Sequence, residues 1–390
     1  MSVFFRPQQR TWAGLKAENL FGRSWGMRTT GSVVVTPDSA LRSSAVWACL
    51  RLRADLISTL PVDAFRRLPD GTQVEVAKPI ILTQPGGARV GITEWLYSSQ
   101  FELDRTGNSF GIIRERTAAG YPARIDLVET GDVVVRGVGS EVTEYRIGSS
   151  TYAPRDIWHE RQFTVPGMAM GLSPVAYAAW SVGGYLSAQQ FALNWFAADA
   201  NPAGILRNTT QATVAPDVAD AAKQRFKAAV SGRDVFVTGS DWEYTAASAD
   251  ASQAAFLEQM HFGVTDVSRF FGVPADLIDG VQGKGGNITY ANVTQRNLQL
   301  LVLNLGPAII RREAALTSAL PRPQYVKFAT DAILRLDPAA RNESIIARDN
   351  AGILAPSEAR ELDNLPPLTS EQLDEFNHLP SATPNHGAPA

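Results

Sequence analysis

Spacing of the apolar positions divides the chain into helix-period runs, strand-period runs and glycine- or proline-rich breaks. Residues 1–36 are mixed and aperiodic and read as an N-terminal arm, taken to end at residue 39. Asp38-Ser39 then introduces a helix in which Val46, Cys49, Leu50, Ile57 and Leu60 fall near one face, and Pro61 stops it. Val62–Arg67 alternates with period two and predicts a strand. Pro69-Asp70-Gly71-Thr72 predicts a turn, because proline presets the bend and glycine accepts positive φ. Trp95, Leu96, Ser99 and Leu103 mark a second helix over about residues 93–106, closed by Gly107-Asn108. Five strand-like runs follow, at 109–114, 124–128, 132–136, 143–147 and 157–163. Their links are too short for crossovers, which predicts antiparallel pairing in an α+β unit.

Ser173-Pro174 opens a long helix that ends near Asp199, since serine caps well and proline suits a first helical turn. Residues 203–248 then predict a small unit: strand 204–207, helix 216–230, and strands 235–238 and 242–245. A further helix spans about 252–271, with Leu257, Met260, Val264, Val267 and Phe271 as its apolar stripe and Gly272 and Pro274 beyond its end. A glycine-rich loop occupies 279–290. The last long helix runs over about 290–320, and Gly306-Pro307 in its middle predicts a kink, because proline removes a hydrogen bond. A strand at 324–329, a helix at 338–351 and a short helix capped at Ser357-Glu358 complete the pattern. Residues 369–390 are polar and read as a disordered tail.

At 390 residues, with 45% apolar and 19% charged side chains, the chain has room for two or three packed units with real cores. Its one cysteine, Cys49, lies among apolar residues and reads as a buried small hydrophobe; the scarcity of cysteine suits assembly in a reducing cytoplasm. The N-terminus lacks a basic segment followed by an apolar run, so no signal peptide is expected. The longest apolar stretch, Leu298 to Ile310, is interrupted by Asn304, Gly306 and Pro307. It is shorter than the ~20 residues a bilayer demands, so no membrane partner is expected. The net charge of -3, from 36 basic and 39 acidic side chains, changes the picture more. A protein that grips DNA by its phosphates carries a basic surplus. Either DNA is not the ligand, or it passes without being held.

Candidate chemistry is sparse. His159, His261, His378 and His386 have no partner at metal-ligand spacing, and His159, beside Trp158, reads as a strand-surface residue. Gly280-Val281-Gln282-Gly283-Lys284-Gly285 invites a phosphate-loop reading. It fails because position 278 is Ile where glycine is needed, and Gly285 stands where Ser or Thr would bind magnesium. No nucleophile elbow appears, and Asp276 and Asp279 read as capping or solvated carboxylates. No catalytic residue, cofactor or metal is expected. An enzyme such as a nucleotide or sugar hydrolase would need a convergent polar pocket that no motif supplies.

Five segments, in order, resemble the portal proteins of long-tailed bacteriophages. Ser44-Ala45-Val46-Trp47-Ala48-Cys49-Leu50-Arg51 through Leu60-Pro61 is similar to the family's N-terminal helix. Thr106-Gly107-Asn108-Ser109-Phe110 is similar to its G-N-A-Y strand start. Gly171-Leu172-Ser173-Pro174, with Asn201-Pro202-Ala203-Gly204-Ile205-Leu206, resembles its G-x-S-P and P-x-G-x-L block. Phe270-Phe271-Gly272-Val273-Pro274-Ala275-Asp276-Leu277-Ile278 resembles its F-G-V-P-x-x-L motif, and Ala351-Gly352-Ile353-Leu354 through Leu365-Pro366-Pro367 its ending. Thr59 and Ser109-Phe110 are mild departures.

The resemblance covers about residues 40–368 and implies an α+β portal-type fold assembled as a ring of twelve. It implies a wing at 40–172, stem helices at 173–198 and 251–272, and a clip at 199–250. It further implies a tunnel loop at 273–289, a kinked helix with a wing strand at 290–330, and a short crown at 331–368. Gln282, Gly283, Lys284, Gly285, Gly286 and Asn287 would line the DNA channel. Lys284 either touches phosphates without sequence preference or is a solvated loop charge. Implied partners are eleven further copies, the terminase large subunit, head–tail connector or adaptor proteins, the major capsid protein and passing double-stranded DNA. The implied place is the portal vertex of the virion, after assembly in the host cytoplasm. Another ring-forming phage head or adaptor protein is the alternative, discriminated by length and by the two helices flanking a small unit.

Overall fold

The computed structural model describes residues 11–16, 34–138, 141–197, 204–210, 215–231, 242–246, 263–278, 298–330, 338–362 and 365–378. Strand β1 is Thr11–Lys16, helix α1 is Ser44–Ser58, and strands β2 and β3 are Val62–Arg67 and Gln73–Val76. Helix α2, Ile92–Thr106, leads into β4 (Asn108–Arg116), β5 (Pro122–Val128), β6 (Val133–Val138), β7 (Glu141–Ile147), β8 (Ser150–Tyr152) and β9 (Ile157–Arg161). Helix α3 is Ala179–Ala197, followed by β10 (Gly204–Asn208), α4 (Pro216–Ser231) and β11 (Trp242–Ala246). Helix α5 covers 263–271, α6 is Gly306–Ser318, and β12 is Gln324–Phe328.

Every ladder among these strands is antiparallel, as the short links require. One sheet runs β1-β6-β7-β8, a second β12-β2-β3 and a third β5-β4-β9, while β10 and β11 pair by themselves. Residue for residue, β2 is the strand its alternation predicts, with Val62 and Ala64 buried. Helix α1 turns Ala45, Val46, Cys49, Leu50, Ala54 and Ile57 inward at helical spacing, and Pro61 follows its end.

Three apolar clusters hold these elements. The first joins α2, α6 and the β12-β2-β3 sheet through Trp95, Leu96, Leu305, Leu316, Val326 and Phe328. The second packs α1 against Val175, Val182, Tyr185, Val267 and Phe271, and so fixes α3 and α5 to the α/β body. The third lies between the remaining sheets, around Phe110, Val133, Val135 and Tyr145. Each fully buried side chain of this size contributes about 1.5–3 kcal/mol.

Several elements differ from the pattern reading. Residues 11–16 of the expected arm form β1 on the edge of β6, with a register shift between Trp12 and Leu15. The edge strands β3 and β8 escape periodicity because they are short and mostly exposed. The Ser173-Pro174 helix begins as Pro174–Tyr177, passes through Ala178 at ψ -1°, and resumes as α3. Next to Gly306-Pro307 the expected α-helix is interrupted: Leu300–Leu305 is a π-helical turn that becomes α6. Ser370–His378, placed in the expected tail, is helical, with Thr369 Oγ1 accepting from the Gln372 N–H. Strand 235–238 and the first half of helix 252–271 lie outside the described residues.

Candidate functional site

Two of the five motif segments meet at one junction. Gly107 caps α2 at φ +79°, where its N–H donates to the Leu103 carbonyl at 2.8 Å. A Cβ there would stand 2.2 Å from the Leu172 carbonyl oxygen, so two backbones cross at van der Waals contact. Asn108 fastens the crossing. Its Nδ2 donates to the Thr106 and Gly171 carbonyls at 3.1 and 3.0 Å, and its Oδ1 accepts the Gly171 N–H at 2.8 Å. Ser173 Oγ donates to the Arg105 carbonyl at 2.7 Å and accepts from the Ala176 N–H, capping the helical turn that leads into α3. Thus Thr106-Gly107-Asn108 and Gly171-Leu172-Ser173-Pro174, far apart in sequence, form one joint between the α/β body and the long helix.

His159 belongs to this joint rather than to a strand surface. Its Nε2 lies 3.2 Å from Asn108 Oδ1, an acceptor fixed by the bonds above, so Nε2 carries the proton. Its Nδ1 accepts from the Tyr145 hydroxyl at 2.9 Å, and its ring stacks on Phe110 at 4.2 Å. Burial, with Arg161 adding to it, pushes His159 down to about 3, and burial pushes Tyr145 up to about 12. Cys49 is fully buried, and burial pushes its thiol up to about 12, an inert side chain as its apolar surroundings predict.

Behind the joint lies a charged centre that no local pattern signals. Arg312 on α6 is 1% exposed, donates to Glu160 Oε2 on β9 at 2.5 Å and to Ser99 Oγ, and sits 5.6 Å over the Trp95 ring. Burial pushes the Glu160 carboxyl up, with Arg312 opposing it. Arg53 on α1 pairs with Asp104 on α2 at 3.1 Å, and Gln100 and Gln162 also donate to Asp104. The two ion pairs, Arg53–Asp104 and Arg312–Glu160, join residues 51 and 152 positions apart in sequence, so spacing cannot reveal them.

The expected channel residues Gln282, Gly283, Lys284, Gly285, Gly286 and Asn287 lie outside the described residues, as do His261 and Asp279. What is described is where the chain leaves and returns: Gly272, at φ +61°, ends α5, and Leu298 precedes the π turn. Asp276 lies in the short helix Ala275–Ile278 between them. Among the described residues no group of three or more His, Cys, Asp or Glu is disposed to hold a metal, and no helix is long and apolar enough to cross a membrane.

The surface has one conspicuous property. Helix α3 has 19 residues and not one Asp, Glu, Lys or Arg. It buries Val182, Tyr185 and Leu186 yet leaves Trp180 62% and Leu193 64% exposed. Val302 and Leu303 in the π turn, and Ile310 on α6, are likewise more than half exposed. Large apolar side chains left exposed on a helix without a charge mark a surface suited to packing against another.

Comparison with known proteins places these features. Residues 44–364 match the family described as phage portal protein. The chain is 29% identical over 363 residues to the probable portal protein of Streptomyces phage phiC31, covering 86% of this chain and 77% of that one. It is 24% identical over 394 residues to the portal protein of Enterobacteria phage HK97, covering 94% of this chain and 92% of that one. Its fold matches an HK97-family phage portal protein from Corynebacterium diphtheriae with a TM-score of 0.59 at 19% identity, over 78% of this chain and all of that one. It also matches a chain in the neck of a native gene transfer agent particle, computed with C12 symmetry, with a TM-score of 0.55 at 21% identity, over 85% of this chain and 94% of that one. With a family match spanning residues 44–364, the chain belongs to the phage portal protein family.

Proposed function

We propose that twelve copies of this chain form the ring at one capsid vertex through which double-stranded DNA is packaged and ejected. The observation that carries this reading is α3: a long helix without a single charge, with Trp180 and Leu193 facing outward, is a helix that neighbouring copies cover. The C12 symmetry of the gene transfer agent neck supports twelve as the copy number.

In this arrangement the sheets and helices of 40–172, with α6 and β12, make the wing, and α3 and α5 make the stem. The small unit that includes β10, α4 and β11 makes the clip, and the helices of 338–362 make a short crown. Residues 273–289 make the tunnel loop, with Gln282 to Asn287 toward the DNA. The clip reading is supported by a small α/β unit standing between two stem helices, whose β10 and β11 pair over five residues.

A conduit must let DNA slide. Each neutralised phosphate adds affinity, so a basic channel would hold its cargo. Twelve chains at -3 give 12 × (-3) = -36, which disfavours adhesion at every step. The chain's own role is structural: packaging work falls to the terminase large subunit, with connector proteins docking at the clip and the major capsid protein surrounding the wing.

Native mass spectrometry with negative-stain imaging of the purified full chain tests the reading. Rings of twelve with a central hole are expected. A compact dimer that persists at high concentration and leaves Trp180 and Leu193 open to solvent overturns it.

A further inference from the structure

Two described segments flank the glycine-rich residues in sequence, and one side chain links them. The first ends at Gly272, where the chain leaves α5 in a left-handed conformation, with the Val273 N–H donating to the Ser268 carbonyl at 3.0 Å. The second is the π turn Leu300–Leu305, in which the Gly306 N–H reaches back five residues to the Leu301 carbonyl. Pro307 accounts for the wide turn, because an α-helix would need its missing N–H to satisfy the Leu303 carbonyl.

Asn304 sits in this turn and bridges the two segments. Its Nδ2 donates to the Gly272 carbonyl at 2.5 Å. Its own backbone carbonyl accepts from Arg53 Nη1 at 3.2 Å, while the Arg53 Nε is held by Asp104 at 3.1 Å. Arg53 is 5% exposed and Asp104 2%, so the anchor is a buried ion pair inside the α/β body. Asn304 Oδ1 is buried and receives no hydrogen bond from any described residue, an expense tolerated where the opposite end of the amide is needed.

We infer that Asn304 is a positioning residue: with Arg53 it ties the end of α5 at Gly272 to the π turn Leu300–Leu305, and both to α1. The tie does not rest on the portal reading.

Hydrogen exchange of the full-length protein tests the tie. Asn304→Leu removes the donor at nearly constant volume. Arg53→Lys keeps the charge beside Asp104 but loses the second arm of the guanidinium fork. Both are expected to raise exchange at Val273 and Gly306 by about tenfold, the scale of one lost hydrogen bond, with β4 and β5 unchanged. Asn304→Gln, which retains a donor, is expected to recover part of the protection. Unchanged exchange at both residues, or an increase spread evenly over the chain, overturns the assignment. If Asn304→Leu does not fold, Arg53→Lys decides by the same two criteria. Because exchange is read whatever the copy number, a failure of the ring reading remains distinguishable from a failure of the tie.

Discussion

Substituting Gly107 by alanine separates the two demands made on the joint between the α/β body and the long helix. The first demand is conformational: Gly107 has φ +79°, and a left-handed alanine costs about 1–2 kcal/mol. The second is steric. The new Cβ would lie 2.2 Å from the Leu172 carbonyl oxygen and 2.5 Å from its carbon, both backbone atoms that no rotamer can clear. Relief requires the 171–173 segment to retreat by roughly 1 Å or more to reach ordinary contact. That movement stretches both Asn108–Gly171 bonds and the Ser173 bond to Arg105. Losing two or three of these at about 1 kcal/mol each brings the expected total to about 3–5 kcal/mol. Gly71 provides the control: its φ is +89°, and nothing lies within 4 Å of a Cβ placed there, so Gly71→Ala meets the conformational demand alone. Guanidinium unfolding of the two variants should therefore give Gly71→Ala a loss of about 1–2 kcal/mol and Gly107→Ala at least twice that, at constant m-value. Equal losses would refute the claim that the joint is sterically closed.

Three further outcomes follow from the described geometry. His159 titrates near 3 when folded against an unfolded value of 6.5, so between those pH values the unfolded chain binds the extra proton and stability falls as pH falls. The slope is at most about 1.4 kcal/mol per pH unit. Denaturant midpoints measured from pH 7 to 4.5 should show it, and His159→Gln should flatten it; an unchanged slope in that variant would contradict the assignment. Arg312→Met strands the Glu160 carboxylate in the core and should cost about 3–5 kcal/mol. Adding Glu160→Gln should recover part of that, and a single variant as stable as the parent would count against the buried pair. Trp180→Lys places a charge on the uncharged helix and should lower ring yield on size-exclusion chromatography at an unchanged monomer melting temperature. Unaltered yield would argue that α3 is not covered by a neighbour.

Where sequence alone was informative, the cause was local. Strand β2 and the end of α2 at Gly107 follow from alternation and from a residue that accepts positive φ. The motif segments at 106–108 and 171–174 were legible as resemblance, but their meeting in one joint was not, because backbone crossing leaves no periodicity. His159 was misread as a surface residue for the same reason: Asn108 and Tyr145, which fix it, come from other strands. Strand β1 draws its identity from its pairing with β6, not from its own six residues. Gly306-Pro307 announced a disturbance in the last long helix, but the contacts of Asn304 with Arg53 and Gly272, 251 and 32 positions away, leave no local signal. The channel residues Gln282 to Asn287 rest on resemblance alone.

The most direct test of the account is a cryo-electron microscopy reconstruction of the assembled protein without imposed symmetry. Twelve copies around a hole are expected, with Trp180, Leu193, Val302 and Leu303 against neighbouring subunits and residues 282–287 toward the axis. A closed assembly in which those apolar side chains face solvent and the glycine-rich segment lies on the outer surface would contradict it.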